Sequence, residues 1–212
     1  MKSILSVLAF IILIAFTVSC TRKGEDDPLL SLRTRDARLI NNWKMDKMEN
    51  TFEVTNMQVG RNPEQMVINT SFDGTNFRFQ TIINNTVVAD TVFGYNYFLK
   101  IKEDGKLIYD YVLFSGGLGV KSGGEENWFW LSDNRRKAGV NLGQALLIGA
   151  TAGSDISALS AYRIQDMFRN FDIIELRNKD LRLRLNKQQL TTGFNGQVQE
   201  IKVSHYSEFS DD

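Results

Sequence analysis

Cysteine, histidine and proline are nearly missing from this chain. One cysteine, Cys20, cannot form an internal disulfide, so the fold must rest on a buried core, which 212 residues are enough to build. One histidine, His205, and that single cysteine cannot make a zinc ligand set, and no metal or cofactor is expected. Two prolines leave no proline-rich linker. Charge of one sign is also missing. Lys plus Arg and Asp plus Glu both total 25, without the basic excess that phosphate backbones require, so nucleic acid is not expected as a partner. No repeat recurs at a fixed period. The glycine-rich stretches 115–124 and 149–154 lack the G-x-x-x-x-G-K-[ST] order of a phosphate loop, and the first reads as a surface loop.

Catalytic constellations are equally short. Glu125-Glu126 and Asp211-Asp212 are adjacent pairs, and neighbours on a strand point to opposite faces, so they do not converge for acid–base work. His205 shares a strand face with Ile201 and Val203, while Ser204 and Glu208 fall on the other. No Ser-His-Asp arrangement follows. The chain is read as a non-enzyme, with His205 packed in the fold or at its rim.

What is present is a globular composition, 42% hydrophobic and 24% charged, with 14 phenylalanines. Aromatic and β-branched residues favour strands. The N-terminus differs from the rest. Lys2 precedes an almost unbroken apolar run over 4–18, shorter than the roughly 20 residues a spanning helix needs, so it reads as the core of a signal peptide. Thr17-Val18-Ser19-Cys20 resembles the lipobox of bacterial lipoproteins, with Thr17 in place of the usual Leu. That resemblance implies cleavage ahead of Cys20 and diacylglycerol on its thiol. Each buried CH₂ of such an anchor contributes about 0.8 kcal/mol. Residues 1–19 are thus a signal peptide and 20–38 a tether with a short helix. Thr21-Arg22-Lys23-Gly24-Glu25-Asp26-Asp27 resembles the Lys-then-acidic tag that sends lipoproteins to the outer face of the outer membrane in one Gram-negative phylum. A plain solvated tether is the other reading, so an outer-membrane anchor is expected with both membrane faces left open.

From 39 to 212 a β domain is expected. Asp27-Pro28 suits a helix start, and Arg33, Arg35 and Arg38 read as the wet side of that short amphipathic helix. Trp43 to Asp46 begins one strand, and Phe52 with Val54 belong to a second. Residues 65–72 alternate before the Asp73-Gly74 turn, and Phe77 and Phe79 share a face. The clearest hairpin covers 97–114, turning at Glu103-Asp104-Gly105-Lys106. Trp128 to Leu131 is a strand, 132–137 a polar turn and 140–142 the return. Residues 143–169 break the β rhythm and read as a helical insertion. Leu181, Leu183 and Leu185 face inward between outward arginines, and 198–209 is the last strand. Many short strands joined by hairpins predict an all-β fold, an antiparallel barrel or sandwich.

Several of these stretches resemble lipocalin-like lipoproteins of the same Gram-negative group. They are Asp27-Pro28 through Trp43-Lys44, the hairpin around Asp104-Gly105, Trp130-Leu131-Ser132, and 176–183 around Asn178-Lys179-Asp180. The resemblance implies an up-and-down barrel of roughly eight to ten strands, a size that can hold one small apolar ligand. Lipocalins carry Gly-x-Trp on the first strand, the Trp closing one barrel end. Trp43 stands at the Trp position and Asn41 at the Gly position.

Tyr109 with Tyr111, and Trp128 with Trp130, are the candidate ligand-lining residues, against the plainer reading of ordinary aromatic core. Two functions follow. One is a small-molecule-binding module, its ligand apolar or aromatic. The other is a surface module that docks an envelope protein or glycan through its loops around a solid barrel. The abundance of Phe leans toward a solid interior.

Overall fold

The computed structural model describes residues 34–57, 64–115, 117–131, 137–140, 170–192 and 197–212. The signal peptide, Cys20, the acidic tag, the Asp27-Pro28 helix start and the insertion at 143–169 lie outside the described residues.

The described chain is one short helix and ten antiparallel strands. Helix α1 is Arg35–Leu39. The strands are β1 Asn42–Met57, β2 Glu64–Phe72, β3 Asn76–Ile83, β4 Thr86–Ile101, β5 Lys106–Ser115, β6 Leu118–Trp130, β7 Lys137–Val140, β8 Asn170–Leu176, β9 Asp180–Thr192 and β10 Val198–Asp211. Each strand pairs with the next in sequence, and β1 also pairs with β10, so the order of hydrogen-bonded neighbours returns to its start.

Local chemistry explains the hairpins. Asn84 and Asn85 both take positive φ, 47° and 65°, in the two-residue turn between β3 and β4, a conformation asparagine tolerates. Gly105 has φ 80° between β4 and β5, where the Asp104 carboxylate accepts the Lys106 N–H at 3.1 Å. The Asp73 carboxylate accepts the N–H groups of Thr75 and Asn76 at 3.0 and 2.7 Å. Along β10 buried Gln199, Ile201, Val203, His205, Ser207 and Phe209 alternate with wetter neighbours, the period-2 signature of a one-sided strand.

One end of the sheet is shut. β1 outruns the β2–β3 hairpin, and its first residues, Asn42 to Lys44, pair with Lys100 to Phe98 of β4. A register irregularity between Met45 and Lys47 permits the change of direction. Trp43 is 0% exposed there, and its indole N–H donates to the Leu39 carbonyl at 3.0 Å. Helix α1 seats above it. Thr34 caps the helix, its hydroxyl accepting the Ala37 N–H at 3.2 Å.

Four expectations need correction. Arg35 and Arg38 are not the wet side of the helix; both are buried. The Arg38 guanidinium donates to the Leu176 carbonyl, and the Arg35 guanidinium lies 5.9 Å from the centre of the Trp130 ring. Residues 42–57 form one bulged strand, not two, because β1 must span both β4 and β2. Most of the glycine-rich 115–124 stretch is strand, the start of β6. Its glycines permit close approach: a Cβ on Gly123 would stand 2.5 Å from the Tyr109 carbonyl oxygen. The strand after β6 begins at Lys137, inside the expected polar turn.

The wall is thinnest at β7, which makes three pairs with β6 and three with β8. Among the described residues, β6 from Leu118 to Asn127 is paired only to β5.

Candidate functional site

Inward-facing residues change character along the strands, and that change defines the candidate site. On β4, Ile101, Leu99, Tyr97 and Tyr95 are buried, Phe93 is half-buried, and Thr91, opposite the buried Phe79, is exposed. On β5, Leu107, Tyr109 and Tyr111 are buried and Leu113 is only half-buried. β6 faces them with Glu126, Gly124, Ser122 and Val120, the last two exposed. On β9, Leu181, Leu183 and Leu185 are buried, Lys187 is half-buried and Gln189 is exposed. Alternation keeps these residues on one face of the sheet. On these four strands the inward face is therefore covered at the α1 end and wetter at the other, whereas on β1 and β10 it stays buried through Phe52, Val54, Ile201 and Gln199. Leu118 and Val120, inward at the wet end, are 75% and 62% exposed.

The filled half is aromatic. Tyr95 packs edge-on against Phe72 at 5.5 Å and meets Phe77 at 5.2 Å and Tyr111 at 6.2 Å. Phe77 and Phe93 stack at 5.0 Å, and Tyr97 lies 6.3 Å from Phe209. Burial pushes the phenols of Tyr95 and Tyr97 well above their usual range, so both stay protonated. These rings form the floor beneath the wet half.

The four candidate aromatics divide between two places. Tyr109 and Tyr111 line the inward face of β5 and belong to the floor. Burial, with Glu126 nearby, raises the Tyr109 phenol. Trp128 and Trp130 lie at the shut end, edge to face at 5.9 Å. Their indole N–H groups donate to the Lys102 carbonyl at 2.8 Å and to the Asp36 carboxylate at 2.5 Å. Both tryptophans are thus tied to the end closure with Trp43, away from the wet half.

Gly124 makes the floor possible. A Cβ there would stand 2.6 Å from the Tyr109 hydroxyl oxygen and 2.8 Å from its ring carbon. Gly124→Ala is expected to lower stability by about 1–3 kcal/mol through displaced ring packing. Urea unfolding of the two proteins measures this, and an unchanged midpoint would show that Tyr109 does not lie against β6.

His205 is buried and packed as one of the two expected alternatives had it. Its Nε2 is 3.0 Å from the Ser207 hydroxyl, and the Phe171 ring meets it edge-on at 5.3 Å. Burial pushes the imidazole down to about 3. The unfolded chain then takes up a proton near pH 6.5 that the folded chain refuses. The His205 contribution to stability is whole above pH 6.5 and falls as pH drops toward 3. Melting temperatures from pH 7 to pH 4 should therefore fall less steeply in His205→Phe than in the parent. Parallel curves would contradict the buried neutral imidazole.

An outer groove of about 580 Å³ lies beside the β1 irregularity, lined by Asp46, Lys47, Glu49, Ser71, Asp73, Asn76 and Arg78 among others. Its two cations are paired on the surface. Lys47 pairs with Glu49 at 2.8 Å and Arg78 with Asp90 at 2.5 Å, which holds the Asp90 carboxyl down at about 2. Among the described residues no three His, Cys, Asp or Glu side chains gather as a metal site. Inward polar residues that spacing alone did not single out include Asn50, Thr70, Gln199 and Ser207; each breaks an apolar alternation, which was the available signal. Comparison with protein-family models, with characterised proteins and with solved structures found no match to this chain.

Proposed function

We propose that this chain is a lipid-anchored protein of the bacterial cell envelope whose lipocalin-like, up-and-down barrel binds a small molecule through its open end, without catalysis. One observation carries the binding half: inward-facing residues pass from buried to exposed along β4 and β9, from buried to half-buried along β5 and from half-buried to exposed along β6, over a floor of packed rings. Such a half-open interior suits a ligand with an apolar or aromatic body. The signal-peptide pattern and the lipobox-like Thr17-Val18-Ser19-Cys20 support the anchor, and residues 34–38 lie at the opposite, shut end. The outer membrane is its proposed location, at either face.

Periodicity provides the test. Ser122 faces inward and Lys121 outward on β6. Ser122→Trp is expected to weaken binding of the apolar dye 1-anilinonaphthalene by about tenfold, roughly the 1.4 kcal/mol of one lost contact set. Lys121→Trp should leave it unchanged. Equal effects would remove the interior as the binding place. For the anchor, Cys20→Ser should abolish processing and lipid attachment. Mature protein remaining in the membrane fraction with unchanged processing would contradict it.

A second reading, docking of an envelope protein or glycan, is favoured by the outward apolar side chains Val92 and Phe114, both exposed. Phe114→Ser with unchanged dye binding but lost envelope association would select it.

A further inference from the structure

A row of polar side chains crosses the interior wall where apolar residues would fit. Strands β10, β1 and β2 lie side by side, and their register sets His205 opposite Asn50 and Asn50 opposite Thr70. All three face inward and are 1%, 6% and 3% exposed. Ser207, the next inward residue of β10, is buried beside the imidazole. The rungs toward the open end are apolar, Val203-Phe52-Ile68 and then Ile201-Val54-Met66. At the mouth the pattern turns polar again, where Gln199 donates to Asn56 at 2.7 Å.

Two atoms of the buried row have no hydrogen-bond partner among the described residues, the Asn50 carboxamide oxygen and the Thr70 hydroxyl. The Tyr97 hydroxyl, also interior, has none either. A buried polar atom without a partner weakens a fold, and an apolar side chain of the same shape would not. Their chemistry is complementary. The Asn50 oxygen only accepts, while the Thr70 hydroxyl also donates. Directly opposed residues on antiparallel strands lie about 4.5–5.5 Å apart at Cα, so one oxygen can meet both.

We propose that Asn50 and Thr70, with His205 and Ser207 beside them, recognise the hydroxyl group of a neutral, otherwise apolar ligand that enters from the open end. The ligand hydroxyl donates to the Asn50 oxygen and accepts from the Thr70 hydroxyl, and its apolar body lies along the two rungs above. The inference rests on the interior binding proposed above. A charged head is disfavoured because the inward neighbours Met48, Phe72, Phe79, Leu185 and Phe171 carry no charge, so nothing would offset its desolvation. The polar atoms are sealed from solvent, so binding requires side chains above them to move. Met66, half-buried on the path, has the flexibility for it.

The test uses two probes of equal size, 1-dodecanol and its ether isomer 1-methoxyundecane. Each displaces 1-anilinonaphthalene from the full-length protein in non-ionic detergent, and partitioning into detergent cancels when proteins are compared. The native chain should bind the alcohol about tenfold more tightly than the ether. Asn50→Leu, which removes the acceptor only an alcohol can use, should shrink that gap to about twofold or less, whereas the isosteric Thr70→Val, which removes a donor either oxygen can use, should weaken both probes alike; each should raise the melting temperature. Thr70→Val, read as an equal loss for both probes, serves if Asn50→Leu does not fold, and unchanged binding of both would overturn the row. Both probes binding equally to the native chain would overturn the row and spare interior binding. A gap that survives in Asn50→Leu, with lowered melting temperatures in both variants, would assign these residues to structure. Neither probe binding would overturn both proposals.

Discussion

Trp43→Ala is expected to lower stability by about 3–5 kcal/mol, among the largest losses a single substitution can cause here. Trp43 is fully buried where β1 leaves β2 and pairs with β4, and it joins two elements at once. Its ring fills the shut end, and its N–H donates to the Leu39 carbonyl at the end of α1. Removing the ring leaves a void beneath the helix and a helix carbonyl without its partner. Trp43→Phe separates the two effects, since it keeps most of the volume and loses the donor. Its cost should be about 1–2 kcal/mol. Chemical unfolding followed by far-ultraviolet circular dichroism measures both. If Trp43→Ala costs less than about 1 kcal/mol, the shut end is held by something other than this ring.

The second large effect lies on the outside of β8. Glu175 is 2% exposed, with its carboxylate 2.5 Å from the Arg177 guanidinium and 2.8 Å from that of Arg182. The register irregularity between Ile173 and Glu175 turns this side chain toward the arginines. Both arginines are partly exposed and pay little for their own charge, whereas the buried carboxylate depends on them. Replacing both by methionine, Arg177→Met with Arg182→Met, should cost about 3–5 kcal/mol at neutral pH. Glu175→Gln in the same background removes the stranded charge and should recover part of the loss. Thermal melts of the three proteins decide it. A double variant as stable as the parent would show that the two pairs contribute no more than ordinary surface ion pairs.

The β architecture was legible because its signals are local. Alternation marks β2, β3 and the β4–β5 hairpin, and the Asn84-Asn85 and Asp104-Gly105 turns carry the residues that positive φ selects. What misled were places where long-range packing overrides the local signal. Arg35 and Arg38 have the spacing of a wet helix face, but Trp130 and the Leu176 carbonyl cover them from distant strands. The glycines of 119–124 suit a loop by composition, yet Gly124 is required by the ring of Tyr109 across the sheet. β1 looked like two strands because its irregularity interrupts the alternation near Asp46. The candidate site was legible only in part. Tyr109 and Tyr111 fall in the floor of the interior, as period 2 implies, but nothing in the spacing tells that Trp128 and Trp130 lie at the shut end. Nor does it reveal that Asn50 stands between Thr70 and His205, because cross-strand register is set by pairings far apart in sequence.

The central claim is that the open half of the interior holds a small molecule. Native mass spectrometry of the full-length protein, purified from its own cells, tests it most directly. A discrete mass beyond that of the polypeptide and of the lipid proposed on Cys20, released on collisional activation and lost in Ser122→Trp, is the expected result. A single bare mass in the native protein, or an adduct that survives in Ser122→Trp, would contradict it.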